Sequence, residues 1–225
     1  MRLYPKIGHL PGSRTGPSDR HVSPSLAERL TASGRPGDRV VVQEKLDGSC
    51  VLVVRHEGAL LAMGREGGRC DESPNEGRRR FAAWVAAHEG LFGWLGEGER
   101  LAGEWLALAH GTRYALPHGP FVAFDLFDAR RERASAAVLA ARLPPALPRP
   151  RVVHEGPPLA LAAALAALGE RGHHGALEAA EGVVYRLESG GALLALAKWV
   201  RPGKIDGAYL ADHGGGDHVW NSWVD

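Results

Sequence analysis

Between Arg39 and Gly64 the sequence sets three short apolar runs, RVVVQE (39–44), CVLVVR (50–55) and ALLAMG (59–64), broken by Asp47-Gly48 and Glu57-Gly58. Runs this short, bounded by turn dipeptides, read as strands. The breaks carry hairpin chemistry, so the spacing predicts an antiparallel meander. Four further runs, 101–108, 121–127, 182–187 and 192–200, extend the strand pattern, the last two joined by Ser189-Gly190-Gly191. Helices are predicted between them. Ser23-Pro24 supplies a cap and a first-turn proline for a helix ending near Ser33. Ser73-Pro74, with Glu76 in capping-box position, opens a second that carries Phe81, Trp84, Val85 and His88 at helical spacing. Ser135–Leu143 and Leu159–Leu168 are alanine-rich helices on either side of a proline-rich connection, PPALPRP. Strands, then helices, then strands again point to one α+β domain with antiparallel sheets over 1–225. Residues 1–22 form an irregular lead-in and 202–225 a short tail.

Composition narrows the class. The chain has 225 residues, 44% of them hydrophobic, with a formal net charge of +1. It can bury a real core, and it is neither disordered nor a basic nucleic-acid coat, although a local basic groove is open to it. Cys50 and Cys70 are too few for a disulfide scaffold and are not spaced as a zinc site. His173-His174, His213 and His218 lack tetrahedral-site spacing. The first residues show no secretory signal, and the longest apolar stretch, Leu159–Leu168, is too short to cross a bilayer. A cytoplasmic location with no membrane partner is the expectation.

Only Lys6, Lys45, Lys198 and Lys204 are lysines among 27 basic residues. A lysine kept in an arginine-rich chain draws attention, because an amine can lose its proton and attack while a guanidinium effectively cannot. Lys45 stands at the end of a Val-rich strand with Asp47 two residues on and Gly48 after it. Nucleophilic attack by Lys45 requires desolvation or nearby positive charge to free its amine. Arg65 follows at the end of a strand, Glu104 lies within an apolar strand (LAGEW), Phe124-Asp125 sits in FVAFDLFD, Glu181 opens EGVVYR, and Lys198 lies in LAKWVR. Charged groups in apolar strands are costly unless paired or used.

Taken as an ordered set, these segments resemble the nucleotidyltransferase motifs of the covalent polynucleotide ligase and RNA capping enzyme superfamily. GEWLALAHGTRYALPHGPFVAFDLFD and the ending AKWVR are most similar to ATP-dependent RNA ligases, over about Lys6 to Arg201. The resemblance implies a nucleotidyltransferase domain, the ATP-grasp-like adenylation fold of ligases, with two antiparallel sheets flanked by helices and no C-terminal OB domain. It implies that Lys45 attacks the α-phosphate of ATP, that AMP passes to the 5′-phosphate of an RNA, and that a 3′-hydroxyl then seals the backbone. In that scheme Glu181 and Asp47 hold Mg²⁺ or Mn²⁺, with Asp47 acting directly, through a metal-bound water or on the ribose. Glu104 and Arg65 meet the ribose hydroxyls, Phe124 stacks on adenine, Lys198 neutralises the α-phosphate, and Glu44 and Gly48 complete the nucleotide site. Plainer readings stand beside these: Arg65 as a surface cation, Phe124 as core, Asp125 as a loop holder, His110 as structural rather than phosphate-facing.

The family's last motif usually carries two basic residues spaced by one, and here Leu196 stands two before Lys198. Lys198 acts alone, or Lys204 or Arg201 compensates. The 24 residues after Arg201 are too few for an OB fold, which points to a minimal ligase or to a partner that heals ends or grips duplex. Trp220 and Trp223 are expected to pack on the domain. Candidates for RNA contact are Arg78-Arg79-Arg80, Arg130-Arg131 with Arg133, and Arg149 with Arg151, a solvated helix face being the favoured reading of the first cluster. The rival functions are a DNA ligase or guanylyltransferase, and a catalytically silent RNA-end or nucleotide-binding module.

Overall fold

The computed structural model describes residues 3–210 and 217–224, so His213 lies outside the described residues. Among the described residues eleven strands run in chain order: β1 (Gly8–His9), β2 (Asp38–Lys45), β3 (Ser49–His56), β4 (Ala59–Gly64), β5 (Arg100–Trp105), β6 (Ala115–Leu116), β7 (Phe121–Phe127), β8 (Val152–Gly156), β9 (Gly182–Ser189), β10 (Ala192–Val200) and β11 (Ser222–Trp223). Four α-helices accompany them: α1 (Pro24–Thr31), α2 (Glu76–Ala87), α3 (Ala136–Arg142) and α4 (Leu161–Leu168).

Two open sheets carry the fold, one ordered β1-β10-β9-β2-β8 and the other β4-β3-β5-β7. The second is antiparallel throughout. The first is antiparallel except for β1, which runs parallel to β10. A small parallel pair, β6 with β11, brings the C-terminal segment back onto the domain.

The expected three-strand meander is corrected. β3 and β4 form the predicted hairpin, and Glu57 and Gly58 both have positive φ (50° and 75°), as a tight primed turn requires. β2 does not pair with β3. Asp47-Gly48 instead carries the chain from the five-stranded sheet to the four-stranded one. β8 is a further departure. Val152–Gly156 pairs with β2 at the sheet edge, within what reads in sequence as a proline-rich connection between two helices. Helix α2 is capped by Asn75, whose side chain accepts from the Arg78 N–H, so Ser73 is not its cap. Glu76 pairs forward with Arg80, one turn on.

Each sheet buries one face under helices. Val40, Val42, Val183, Tyr185 and Leu187 pack against Ala27 and Leu30 of α1 and Ala164 and Leu168 of α4. On the other sheet Val51, Val53, Leu101, Trp105 and Phe121 pack against Phe81 and Val85 of α2 and Leu139 of α3. Each fully buried large side chain contributes on the order of 2 kcal/mol. Period-2 alternation then turns the intervening residues, Gln43 and Lys45, Val184 and Arg186, Leu196 and Lys198, toward a cleft that the second sheet also lines. No described helix is long and apolar enough to cross a membrane.

Candidate active site

The cleft is a cavity of about 390 Å³ with both sheets in its walls. Glu44, Lys45, Gly48, Arg65, Glu104, Phe124 and Lys198 all line it, so seven positions scattered between 44 and 198 meet in one place. Asp47 and Glu181 lie behind Lys45 rather than in the cavity wall. Lys45 Nζ donates to Glu181 Oε2 at 2.7 Å, and the Lys45 side chain is 20% exposed.

Electrostatics around Lys45 depart from what nucleophilic attack needs. Burial alone lowers its ammonium, but Glu181, Glu104 and Asp47 together outweigh burial and hold it above the ordinary lysine range. Without other charges in the cleft, Lys45 is therefore protonated. Glu104 shows the converse. Burial, reinforced by Glu181 and Asp47 and opposed by Lys45, pushes its carboxyl up to about 7. Burial and the nearby Lys45 lower the Lys198 ammonium.

Local geometry explains why the loop after Lys45 has its sequence. The Gly48 N–H donates to Glu104 Oε1 at 3.0 Å, and a Cβ on Gly48 would stand 2.5 Å from the Trp105 carbonyl oxygen. Only glycine fits there. The Asp47 N–H donates to the Tyr114 hydroxyl at 3.1 Å, while Asp47 Oδ2 accepts from the Gly111 N–H at 2.8 Å.

On β7 the register against β5 slips between Ala102 and Gly103, which pair with Asp125 and Ala123 and leave Phe124 as the extra residue of a bulge. The slip inverts the alternation, so both Phe124 and Asp125 reach the cavity. Asp125 is not a loop holder. It is buried, pairs with Arg186 Nη1 at 2.6 Å and accepts from the Tyr4 hydroxyl at 2.6 Å.

Several residues at the site were not singled out by sequence reasoning. Tyr4, from the supposedly irregular lead-in, packs edge-on against Phe124 with ring centroids 5.3 Å apart. Its carbonyl accepts from Arg65 Nε at 3.2 Å, which anchors that arginine at the cavity wall. Arg186 is visible in EGVVYR only as a charge inside an apolar strand. Lys204, a candidate substitute for the missing cation at 196, lies outside the cavity, buried against Asp47 at 2.5 Å. Leu196 does line the cavity beside Lys198.

The arginines divide by role. Arg78 lines the cavity, Arg79 donates to the Ser73 and Pro74 carbonyls, and Arg80 stacks over Trp220 at 3.7 Å, so this cluster is not simply a solvated face. Arg133 lies over the Tyr4 ring and 3.3 Å from Asp125, an internal brace rather than a free RNA contact. Trp220 and Trp223 pack against the helix-covered core of the four-stranded sheet, as expected. His110 Nε2 meets Ser49 Oγ at 3.1 Å beside the Asp47 loop.

Among the described residues no cluster of three or more His, Cys, Asp or Glu side chains forms a metal cage. Asp47 and Glu181 nevertheless fit the hard oxygen set with which one or two carboxylates hold Mg²⁺ or Mn²⁺ alongside phosphate oxygens.

The RNA ligase family model matches residues 38–200, the segment that holds every cavity residue named above except Tyr4. The chain belongs to the RNA ligase family. An archaeal ATP-dependent RNA ligase superposes with a TM-score of 0.50 at 21% identity, covering 88% of this chain and 48% of that one. A Naegleria gruberi RNA ligase mutant with ATP and Mn gives 0.57 at 16% identity, covering 95% and 63%. The Naegleria gruberi RNA ligase with PPi gives 0.56 at 17%, covering 96% and 63%. At these identities the likeness is one of fold, and this RNA ligase family chain spans about half the length of the archaeal proteins it matches. No curated protein matches it.

Proposed function

We propose that the chain is an ATP-dependent RNA ligase that uses Lys45 as its nucleophile and joins an RNA 5′-phosphate to a 3′-hydroxyl. The observation that carries this reading is the placement of Lys45 Nζ on Glu181 at the edge of a two-sheet cavity that also holds Glu104, Arg65, Phe124 and Lys198. Membership of the RNA ligase family supports it.

The cavity suits a nucleotide. Phe124 offers a ring to a base, Glu104 and Arg65 offer an acceptor and a donor fork to ribose hydroxyls, and Lys198 places an ammonium in the cavity lining. Glu44 borders the cavity, its Oε1 taking the His173 N–H at 2.9 Å while Oε2 has no partner among the described residues. In the first step the Lys45 amine, once deprotonated, bonds to the α-phosphorus. The bond to the β-phosphate oxygen breaks, pyrophosphate leaves with the electron pair, and the amine proton is released to solvent. Lys198 holds the α-phosphate oxygens as charge builds on them. Glu181 and Asp47 would hold a divalent ion, which when bound would supply positive charge against the carboxylates that keep Lys45 protonated and against charge on the phosphate.

AMP then moves to the RNA 5′-phosphate as the N–P bond breaks, and the 3′-hydroxyl displaces AMP. Arg78 lines the cavity, and Arg149 and Arg151 line a second pocket that shares Pro150 with it; these cations are assigned to the RNA backbone. Incubation with ATP, Mn²⁺ or Mg²⁺ and a 5′-phosphorylated RNA should yield joined RNA, and GTP or DNA strands should support far less. Joining of DNA in preference to RNA would reassign the chain to the DNA ligase alternative. Nucleotide binding without pyrophosphate release would make it a silent binding module.

A further inference from the structure

Glu181 divides its two oxygens between two lysines. Oε2 is 2.7 Å from Lys45 Nζ, and Oε1 is 3.5 Å from Lys204 Nζ. Lys204 comes from the segment after β10, beyond the residues the family shares. Its side chain is 1% exposed, and its ammonium stands 2.5 Å from Asp47 Oδ2. The seat is built for it. Asp47 Oδ2 also accepts from the Gly111 N–H, and a Cβ at Gly111 would lie 2.6 Å from Lys204 Cε and 2.3 Å from the Ile205 carbonyl oxygen. An ammonium is buried only where charge answers it. Here Asp47 and Glu181 answer it together.

We propose that Lys204 is a positioning residue, an internal cation that holds the Asp47 and Glu181 carboxylates as a pair and neutralises part of the charge a divalent ion would meet there. The inference rests on reading those two carboxylates as the metal pair. Around Lys45 stand three carboxylates, Asp47, Glu104 and Glu181, answered by Lys45 itself and Lys204, with the Lys198 ammonium also acting on Glu181. Removing the Lys204 charge leaves the pair one unit more negative at short range, where Coulomb attraction for a dication is strong. The wild-type chain therefore binds a divalent ion weakly by itself and gains it with the phosphates of a nucleotide.

The test is Mn²⁺ titration followed by electron paramagnetic resonance on the whole chain without nucleotide, comparing wild type with Lys204→Met, Lys204→Gln and Lys204→Arg. Methionine keeps the stem without the charge, and melting curves identify the folded variants. Either neutral variant should bind Mn²⁺ at least tenfold tighter, and the arginine variant should return to the wild-type value, which a purely structural role would not produce. A folded neutral variant with wild-type or weaker Mn²⁺ binding overturns the proposal. A second measurement needs no variant. Wild-type Mn²⁺ affinity should rise at least tenfold when a non-cleavable ATP analogue is added, and equal affinity in its presence and absence also overturns the proposal. The titration reads charge at the carboxylates whether or not Lys45 ever carries AMP, so failure here and failure of the ligase reading are separate results.

Discussion

Arg186 of β9 reaches across the cleft to Asp125 of β7, with Nη1 2.6 Å from Oδ1 and both side chains excluded from solvent. The pair ties the two sheets together beneath the cavity, and the Tyr4 hydroxyl and Arg133 satisfy the remaining carboxylate oxygen. Breaking a buried pair by removing one partner leaves the other charge without compensation. Arg186→Met should therefore lower the unfolding free energy by about 3 kcal/mol, read as a fall in the urea midpoint. The double variant Arg186→Met/Asp125→Asn should lose less than the single one.

Gly48 is fixed by close approach. With a Cβ position 2.5 Å from the Trp105 carbonyl oxygen and 2.9 Å from Leu106 Cδ2, Gly48→Ala must push β3 away from β5. Overpacking of this kind costs about 1–3 kcal/mol. The displaced loop also releases the Gly48–Glu104 hydrogen bond, so ATP-dependent RNA joining should drop more steeply than stability. Wild-type joining by this variant would show that the loop does not position Lys45.

Glu44 gives stability a defined pH dependence. Burial raises its carboxyl to about 7, against the opposing His173 N–H and Arg151. A carboxyl raised in the folded state binds a proton that the unfolded chain, with an ordinary value of about 4.3, has already lost. Stability therefore falls as pH rises from about 4.3 to 7 and levels off above that window. Glu44→Gln removes this term. Its urea midpoint should gain on the wild type between pH 4 and pH 8, while the parallel contribution of Glu104 is common to both proteins and cancels. A constant difference across that range would contradict the assignment.

Asn221 holds the returning C-terminal segment. Its Oδ1 accepts from the Tyr114 N–H at 2.8 Å, and its Nδ2 donates to the Leu106 carbonyl at 2.6 Å, all buried. Asn221→Ala strands both backbone groups at about 1–3 kcal/mol for each. Because the Tyr114 hydroxyl takes the Asp47 N–H, the loss should reach the site as well, seen as a lower melting temperature together with slower RNA joining.

The elements were legible where local chemistry decides them. Short apolar runs gave seven strand positions near their observed places where turn or cap residues flanked them, and β8 escaped because Val152 and Val153 are its only apolar residues beside a proline run. What no local pattern carries is partnership between strands. Asp47-Gly48 has hairpin chemistry, yet it links two sheets, because Val40 and Val42 pack under α1 and α4 while Val51 and Val53 pack under α2. The bulge at Phe124 is equally silent in sequence. Strict alternation would send Phe124 and Asp125 to opposite faces, and only the register slip puts both at the cavity. The site residues themselves were legible as charges in apolar strands. Tyr4 and the burial of Lys204 were not, since both depend on segments that wrap the sheets from outside the recognisable motifs.

The central claim is that Lys45 bonds to the α-phosphorus of ATP, and locating the adduct tests it most directly. The purified chain is incubated with ATP and Mn²⁺, quenched under conditions that preserve a phosphoramidate, digested and mapped by mass spectrometry. The account predicts AMP on the peptide bearing Lys45 and none on the whole chain of Lys45→Ala. AMP attached at Lys198, Lys204 or any other residue, or undiminished in Lys45→Ala, would contradict it.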